Sequence, residues 1–363
     1  MLVNVLTPGF TTSNGSAFLF PLVVFKNEIR NTGIDICLVK QSDKKISDCD
    51  VVAIDSKQFR HIPDDQQDEI KELITHYRSS NAKIVWFDTT DSTGTLQAEM
   101  VPVVDKYMKA QLLKDRTRYE QRIYGGRELS EYYFQTAGII DSNEEAVDKP
   151  ISNNDTAKLG ISWNSGLANY STYGPLKMGL YKRTHLPHLL SYPNPPALNT
   201  QKRTNDLSAR FGISYSRQTV RYQREKIRDL LSTHLDTRKL NRRGYMKELM
   251  ESKVILSPFG WGEITLKDFE VFLTGGMLLK PSLEHMETWP NFYVDGVTYK
   301  SFDWNLSDLE EKIEWALEND EEREAIASEG RERYLQHTSH VQAAEKFATH
   351  LTSVLCTEMP AVE

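Results

Sequence analysis

The sequence predicts an α/β protein built as two Rossmann-like domains with a cleft between them. Three observations carry this reading. At 363 residues the chain exceeds what one hydrophobic core usually supports, so about two domains are expected. Over residues 1–100, short β-branched runs alternate with stretches of helical spacing, the pattern of right-handed βαβ units in a parallel sheet. After a proline-bearing stretch the same alternation restarts at Asp206. The expected boundaries are 1–200 for the first domain with a linker over about 171–205, 206–340 for the second, and 341–363 for a C-terminal helix and tail.

In the first half, Leu2–Leu6, Ile34–Val39, Asp50–Ile54 and Ala82–Phe87 read as strands. Ala17–Ile29 and Pro63–Arg78 (Ile70, Leu73, Ile74, Tyr77) read as helices. Tyr107–Asp115 has helical spacing, and Lys158–Trp163 reads as a further strand. Prolines at 175, 187, 193, 195 and 196 mark the linker. In the second half, Leu207–Ile213 and Val254–Ser257 are expected strands, and Val220–Leu231 and Tyr245–Met250 expected helices. Tyr293–Phe302 reads as extended, and Leu306–Leu317, Glu321–Leu335 and Val341–Leu355 as closing helices.

A hydrophobic content of 39% argues against wholesale disorder. The three cysteines, Cys37, Cys49 and Cys356, form no CxxC pair, so neither a disulfide framework nor a zinc site is expected. The first residues look like a strand and not a signal peptide, and no apolar run approaches the ~20 residues of a membrane span. A cytoplasmic protein is expected, with peripheral membrane contact left open. The net charge of −7 is unevenly spread: residues 202–243 carry twelve Lys/Arg against four Asp/Glu. That segment suits an anionic ligand, but it has no nucleic-acid-binding motif, so no nucleic acid is expected.

The most informative stretch runs from Ser257 to Pro281. It reads as strand, glycine-punctuated turn (Gly260, Gly262), helix from Glu263 to Thr274, and strand after Gly275-Gly276. On that helix Glu263, Lys267, Glu270 and Thr274 share a narrow polar stripe hemmed in by apolar residues. One reading is a core helix with an internal Glu–Lys pair. The other is a helix whose N-terminus and polar stripe face an anion in a cleft.

Lys253-Val254-Ile255-Leu256-Ser257-Pro258-Phe259-Gly260-Trp261-Gly262-Glu263, continued by Asp268 to Pro281 and later by Asp303-Trp304-Asn305-Leu306, resembles the C-terminal domain of nucleotide-sugar glycosyltransferases of GT-B architecture. The resemblance is densest over about 207–335. It implies transfer of a sugar from a UDP- or GDP-sugar co-substrate to a glycan or other hydroxyl acceptor, in glycan or polysaccharide biosynthesis. It implies no permanently bound cofactor and no required metal. Glu270 would hold the ribose, and the turn Gly260-Trp261-Gly262 with Thr265 would face the diphosphate. Family members that retain configuration space their two glutamates eight apart; here Glu263 stands seven before Glu270, and Glu263-Ile264-Thr265-Leu266-Lys267 is also similar to inverting fucosyltransferase-like members. The stereochemical class stays open.

The departing diphosphate needs cations, and Arg217, Arg221, Arg224 and Lys267 are the candidates, arginine because its fork bonds phosphate bidentately. An inverting transfer needs a general base from the first domain. Asp88 and Asp91 qualify by their place after the strand Ala82–Phe87, with Glu263 as a further catalytic candidate. Asn14 and Gly15, in the loop after the first strand, are candidate acceptor contacts. A nucleotide-sugar epimerase on the same fold and a non-catalytic anion- or nucleic-acid-binding module are the alternatives.

Overall fold

The computed structural model describes residues 1–43, 45–59, 67–78, 81–142, 149–168, 174–192, 195–198, 203–231 and 240–356. The expected helix start at Pro63, Pro193, Arg238 and the tail beyond 356 lie outside the described residues.

The first half contains β1 (Leu2–Leu6), α1 (Ser13–Val24), α2 (Lys26–Asn31), β2 (Asp35–Val39), β3 (Val51–Asp55), α3 (Gln67–Arg78), β4 (Lys83–Asp88), β5 (Lys106–Lys109) and β6 (Gln111–Leu113). It continues through α4 (Glu128–Ala137), α5 (Asn153–Thr156), β7 (Leu159–Ile161) and α6 (Gly174–Thr184). The second half contains β8 (Asn205–Ser208), α7 (Gln218–Leu231), α8 (Arg242–Glu251), β9 (Ser252–Leu256), α9 (Leu266–Thr274), β10 (Met277–Pro281), β11 (Met286–Thr288) and β12 (Lys300–Phe302). Helices α10 (Leu309–Glu318), α11 (Asp320–Thr338) and α12 (Ala343–Cys356) close it.

Two parallel sheets result. The first has six strands in the order β2-β1-β3-β4-β5-β7, the second four in the order β12-β10-β9-β8. Strands β3 and β4 are buried along nearly their whole length, as a parallel sheet covered on both faces requires. The halves are α/β units of the predicted class, and beyond the linker a shared strand pair and a returning helix are among the contacts that join them. Strand β6 of the first half pairs antiparallel with β11 of the second, with Leu112 opposite Glu287. Helix α12 crosses back onto the first half: Lys106 Nζ donates to Val354 O at 2.7 Å, His350 Nε2 lies 2.6 Å from Ser162 O, and Phe347 packs edge-on against Trp163.

Four local expectations are corrected. Tyr107–Asp115 is not a helix but parts of β5 and β6: Lys106–Lys109 is buried at every position, so it lacks the alternation that marks a half-exposed strand. The expected single helix at Ala17–Ile29 is two, broken at Phe25, and begins earlier because Thr12 caps it through Gly15 N. The linker stretch carries helix α6. Helix α9 begins at Leu266 and not at Glu263, because Thr265 and Asp268 form a capping box that fixes its start. Glu263 therefore lies outside the helix, and the four-residue polar stripe is reduced to Lys267, Glu270 and Thr274.

Candidate active site

The turn between β9 and α9 rests on a set of buried cations. Lys267 Nζ donates to Leu256 O at 2.7 Å and to Arg210 O at 3.1 Å. Lys280 Nζ donates to Ser257 O at 3.3 Å and pairs with Asp268 at 3.2 Å. The Arg224 guanidinium donates to Phe259 O at 2.5 Å, Pro258 O at 3.3 Å and Gly212 O at 2.8 Å, and stacks on Tyr215. Four consecutive carbonyls, Leu256 to Phe259, are thus drawn inward by three cations. Glu270, at 6% exposure, is approached by Arg242 at 3.4 Å and by the Tyr245 hydroxyl. Arg210 is matched by Glu248, which it meets with two nitrogens at 2.8–3.0 Å. Counting Arg224, Lys267, Lys280 and Arg242 against Asp268 and Glu270 leaves Arg224 and Lys267 without a carboxylate partner among the described residues. Burial, and then the nearby Arg224 guanidinium, lowers the pKa of Lys267 to about 7; burial also lowers those of Arg224 and Lys280, against the opposing pull of Asp268.

The same turn docks on the first half. Gly262 packs against the backbone of Asp91, where a Cβ would stand 1.9 Å from Asp91 O. Glu263 is buried and accepts from Thr93 N at 3.1 Å, Thr93 Oγ1 at 2.5 Å and Ser92 Oγ at 3.4 Å, with His285 Nε2 at 3.7 Å. Burial pushes its pKa up, but the neighbouring His285 and the Thr93 hydroxyl outweigh it and hold it at about 2. A carboxylate so occupied is no proton shuttle. The catalytic expectation for Glu263 is corrected to that of a tie between the halves.

On the first half, a pocket of about 50 Å³ opens at the carboxyl ends of the strands, where ligands bind in such sheets. Asn14, Asp91, Gln111, Ser165 and Trp163 line it, and Ile264 of the second half closes one side. Asn14 and Gly15 lie in the first turn of α1 and not in a loop. Asn14 Nδ2 donates to Asp91 Oδ1 at 2.6 Å and to Thr89 O at 3.0 Å. Asp91 is exposed. Asp88, by contrast, is fully buried against Lys109 at 2.9 Å, and Tyr107 OH donates to it at 2.8 Å. Burial alone would raise its pKa; the Lys109 ammonium outweighs that and lowers it. The general-base expectation for Asp88 is therefore withdrawn, because its lone pairs are spent on an internal ion pair.

The remaining arginines divide. Arg217 Nη1 donates to Gly125 O of the first half at 2.6 Å, beside Arg127, which bonds Trp261 O at 2.7 Å and faces the Trp261 ring at 5.4 Å. Arg221 lies 3.2 Å from Glu225 on its own helix, a half-exposed pair of small energetic weight. Sequence reasoning missed Lys109 and Lys280. The signal was available for Lys280: a lysine inside the apolar run Met277–Pro281 needs a buried acidic partner. Among the described residues, no cluster of three or more His, Cys, Asp or Glu could hold a metal ion.

Comparison with known proteins places this geometry. Residues 202–349 match the glycosyl transferase-like family. The second half is a glycosyltransferase domain. Two solved structures similar to the chain are a glycosyltransferase from Rickettsia africae (7% identity, TM-score 0.48, 98% of this chain and 99% of that one) and HepE of Anabaena in complex with UDP (9%, 0.44, 97% and 99%). No curated protein matches the chain. The cation-backed turn lies within the glycosyltransferase domain, and the pocket with Asp91 lies outside the matched residues.

Proposed function

We propose that the protein transfers a sugar from a nucleoside-diphosphate donor, a UDP- or GDP-sugar, to a hydroxyl group of a glycan or related acceptor. One observation carries this: the turn between β9 and α9 is backed by two cationic side chains, Arg224 and Lys267, that have no carboxylate partner among the described residues of the glycosyltransferase domain. A diphosphate over that turn would balance them, and it is the group on which negative charge develops as the glycosidic bond to the sugar donor breaks. Lys267 and Arg224 act from beneath the turn, through the carbonyls they orient and the field they exert. The backbone of Gly260-Trp261-Gly262 would face the phosphates, Thr265 would stand at the helix start, and Glu270, with Arg242 displaced, would take the ribose hydroxyls.

The acceptor hydroxyl would enter the pocket beside Asn14 and Gly15. Asp91 is the base this reading favours, because it is exposed where Asp88 is spent. It would take the hydroxyl proton as the oxygen attacks the sugar carbon and the diphosphate departs. Calorimetric titration with UDP, GDP and their sugars tests the sugar-donor half. Micromolar binding of at least one is expected, and no binding of any would overturn the reading.

A further inference from the structure

The pocket beside Asn14 and Asp91 has a direction built into its hydrogen bonds. Asn14 Nδ2 faces two groups that can only accept, the Asp91 carboxylate at 2.6 Å and Thr89 O at 3.0 Å. Those partners fix which end of the amide is nitrogen, and they use both of its hydrogens. Asn14 Oδ1 and Asp91 Oδ2 are left with no hydrogen-bond partner among the described residues, on two side chains that line one pocket. The Asp91 loop that carries this pair is held from two sides: Gln111 Nε2 donates to Asp91 O, and Gly262 packs on the same carbonyl. Thr89 turns its hydroxyl away, onto Asp55 at 3.2 Å, and Lys109 donates to the Thr90 hydroxyl. The walls are apolar: Phe18 and Trp163 lie stacked at 5.0 Å, and Ile264 completes the lining. Two neighbouring acceptors against an apolar wall suit a ligand with two neighbouring donors on a hydrocarbon frame. A pair of hydroxyls and an amino alcohol both have that form. Charge separates them. The stem of Lys57 passes 3.7 Å from where a Cβ on Gly15 would stand, and its ammonium is felt by Asp88 and Asp91. A second cation there would be repelled, and a neutral hydroxyl would not.

We infer that the acceptor presents a vicinal diol, as on the edge of a sugar ring, an inference that rests on the transfer proposed above. One hydroxyl donates to Asp91 Oδ2 and is the nucleophile; its neighbour donates to Asn14 Oδ1. The first oxygen bonds the sugar carbon as the bond from that carbon to the diphosphate breaks, and its proton passes to Asp91. The second hydroxyl keeps its proton and sets the orientation of the ring. An isolated alcohol, such as a serine side chain or the end of a simple lipid alcohol, fills one acceptor and leaves the other without a donor, which is the costly outcome for a desolvated polar atom.

The test titrates the full chain with three probes on one ring: cyclohexanol, the trans diol of cyclohexane with adjacent hydroxyls, and the trans amino alcohol in which an amine replaces one of them. Saturation-transfer NMR gives the affinities, and the side-chain amide of Asn14, in protein labelled at asparagine, locates the site. The diol is expected to bind about fivefold tighter than cyclohexanol, the equivalent of one added neutral hydrogen bond, and tighter than the amino alcohol. Asn14→Ala should erase the preference for the diol over cyclohexanol; the comparison in the wild type stands whether or not that variant folds. Equal binding of diol and cyclohexanol, tighter binding of the amino alcohol, or no probe that moves the Asn14 amide overturns the inference. A nucleotide sugar that binds without this preference removes the diol alone. The preference without nucleotide binding removes the transfer alone.

Discussion

If Arg224 and Lys267, which have no carboxylate partner among the described residues, await a diphosphate over the β9–α9 turn, nucleotide binding must take up protons. Lys267 is the group that reports this. Its pKa is lowered to about 7, first by burial and then by Arg224, so near neutral pH about half of the molecules carry it uncharged. A diphosphate favours the ammonium and would return the pKa toward its ordinary value of 10.5. The sign follows: affinity is greatest below pH 7 and falls as pH rises through it. It should drop about tenfold from pH 7 to pH 8.5, or ~1.4 kcal/mol for each pKa unit gained in the complex. Calorimetry of UDP-glucose binding in buffers of different ionisation enthalpy reads the protons directly. About 0.5 proton per nucleotide is expected at pH 7 and about 0.9 at pH 8. UDP-glucose suits the assay because its diphosphate is a diester without a titration near neutrality. Lys267→Met should remove the uptake while leaving the protein folded. Uptake of no protons by the wild type, or uptake that persists in Lys267→Met, would refute the reasoning.

Three further outcomes are expected. Asp91→Asn should leave nucleotide affinity within about twofold and reduce transfer by 10² or more, in a single-turnover assay, as loss of a general base does. Gly262→Ala must displace the Asp91 backbone, 1.9 Å from the new methyl group; this overpacking should cost about 1–3 kcal/mol, visible as a lowered denaturation midpoint. Lys109→Met strands the buried Asp88 carboxylate and should destabilise by about 3–5 kcal/mol, whereas the joint replacement Lys109→Met, Asp88→Leu should recover much of that loss in the same melt.

The strand order was legible where burial is uneven or the apolar run is unmistakable. Val254-Ile255-Leu256 announces β9, and Ala82–Phe87 announces β4. Lys106–Lys109 was misread because a doubly covered parallel strand leaves no period-two pattern, and the apolar residues around it mimic helical spacing. The start of α9 was written in Thr265 and Asp268, but the polar stripe extended naturally to Glu263 and obscured it. The site was half legible. Residue types at strand ends pointed to Asp88 and Asp91 equally, and only the buried Lys109, four residues before Leu113 and silent in any motif, separates them. Similarly, no spacing rule brings Thr93 to Glu263 or Lys280 to Asp268; those meetings are made by packing between elements remote in sequence.

The return of α12 to the first half has a consequence for how the protein is made. Its Phe347 seals Trp163, and its carbonyl at Val354 takes up the Lys106 ammonium, so a strand translated early gains its cover from a segment translated late. A chain made only as far as α11 would leave Trp163 without Phe347 and the Lys106 ammonium without the Val354 carbonyl. Full packing of the first half is therefore expected to follow completion of the second. A nascent chain stalled before α12 should be a substrate for chaperones, and separately expressed halves should be soluble only when the final helix is supplied to the first.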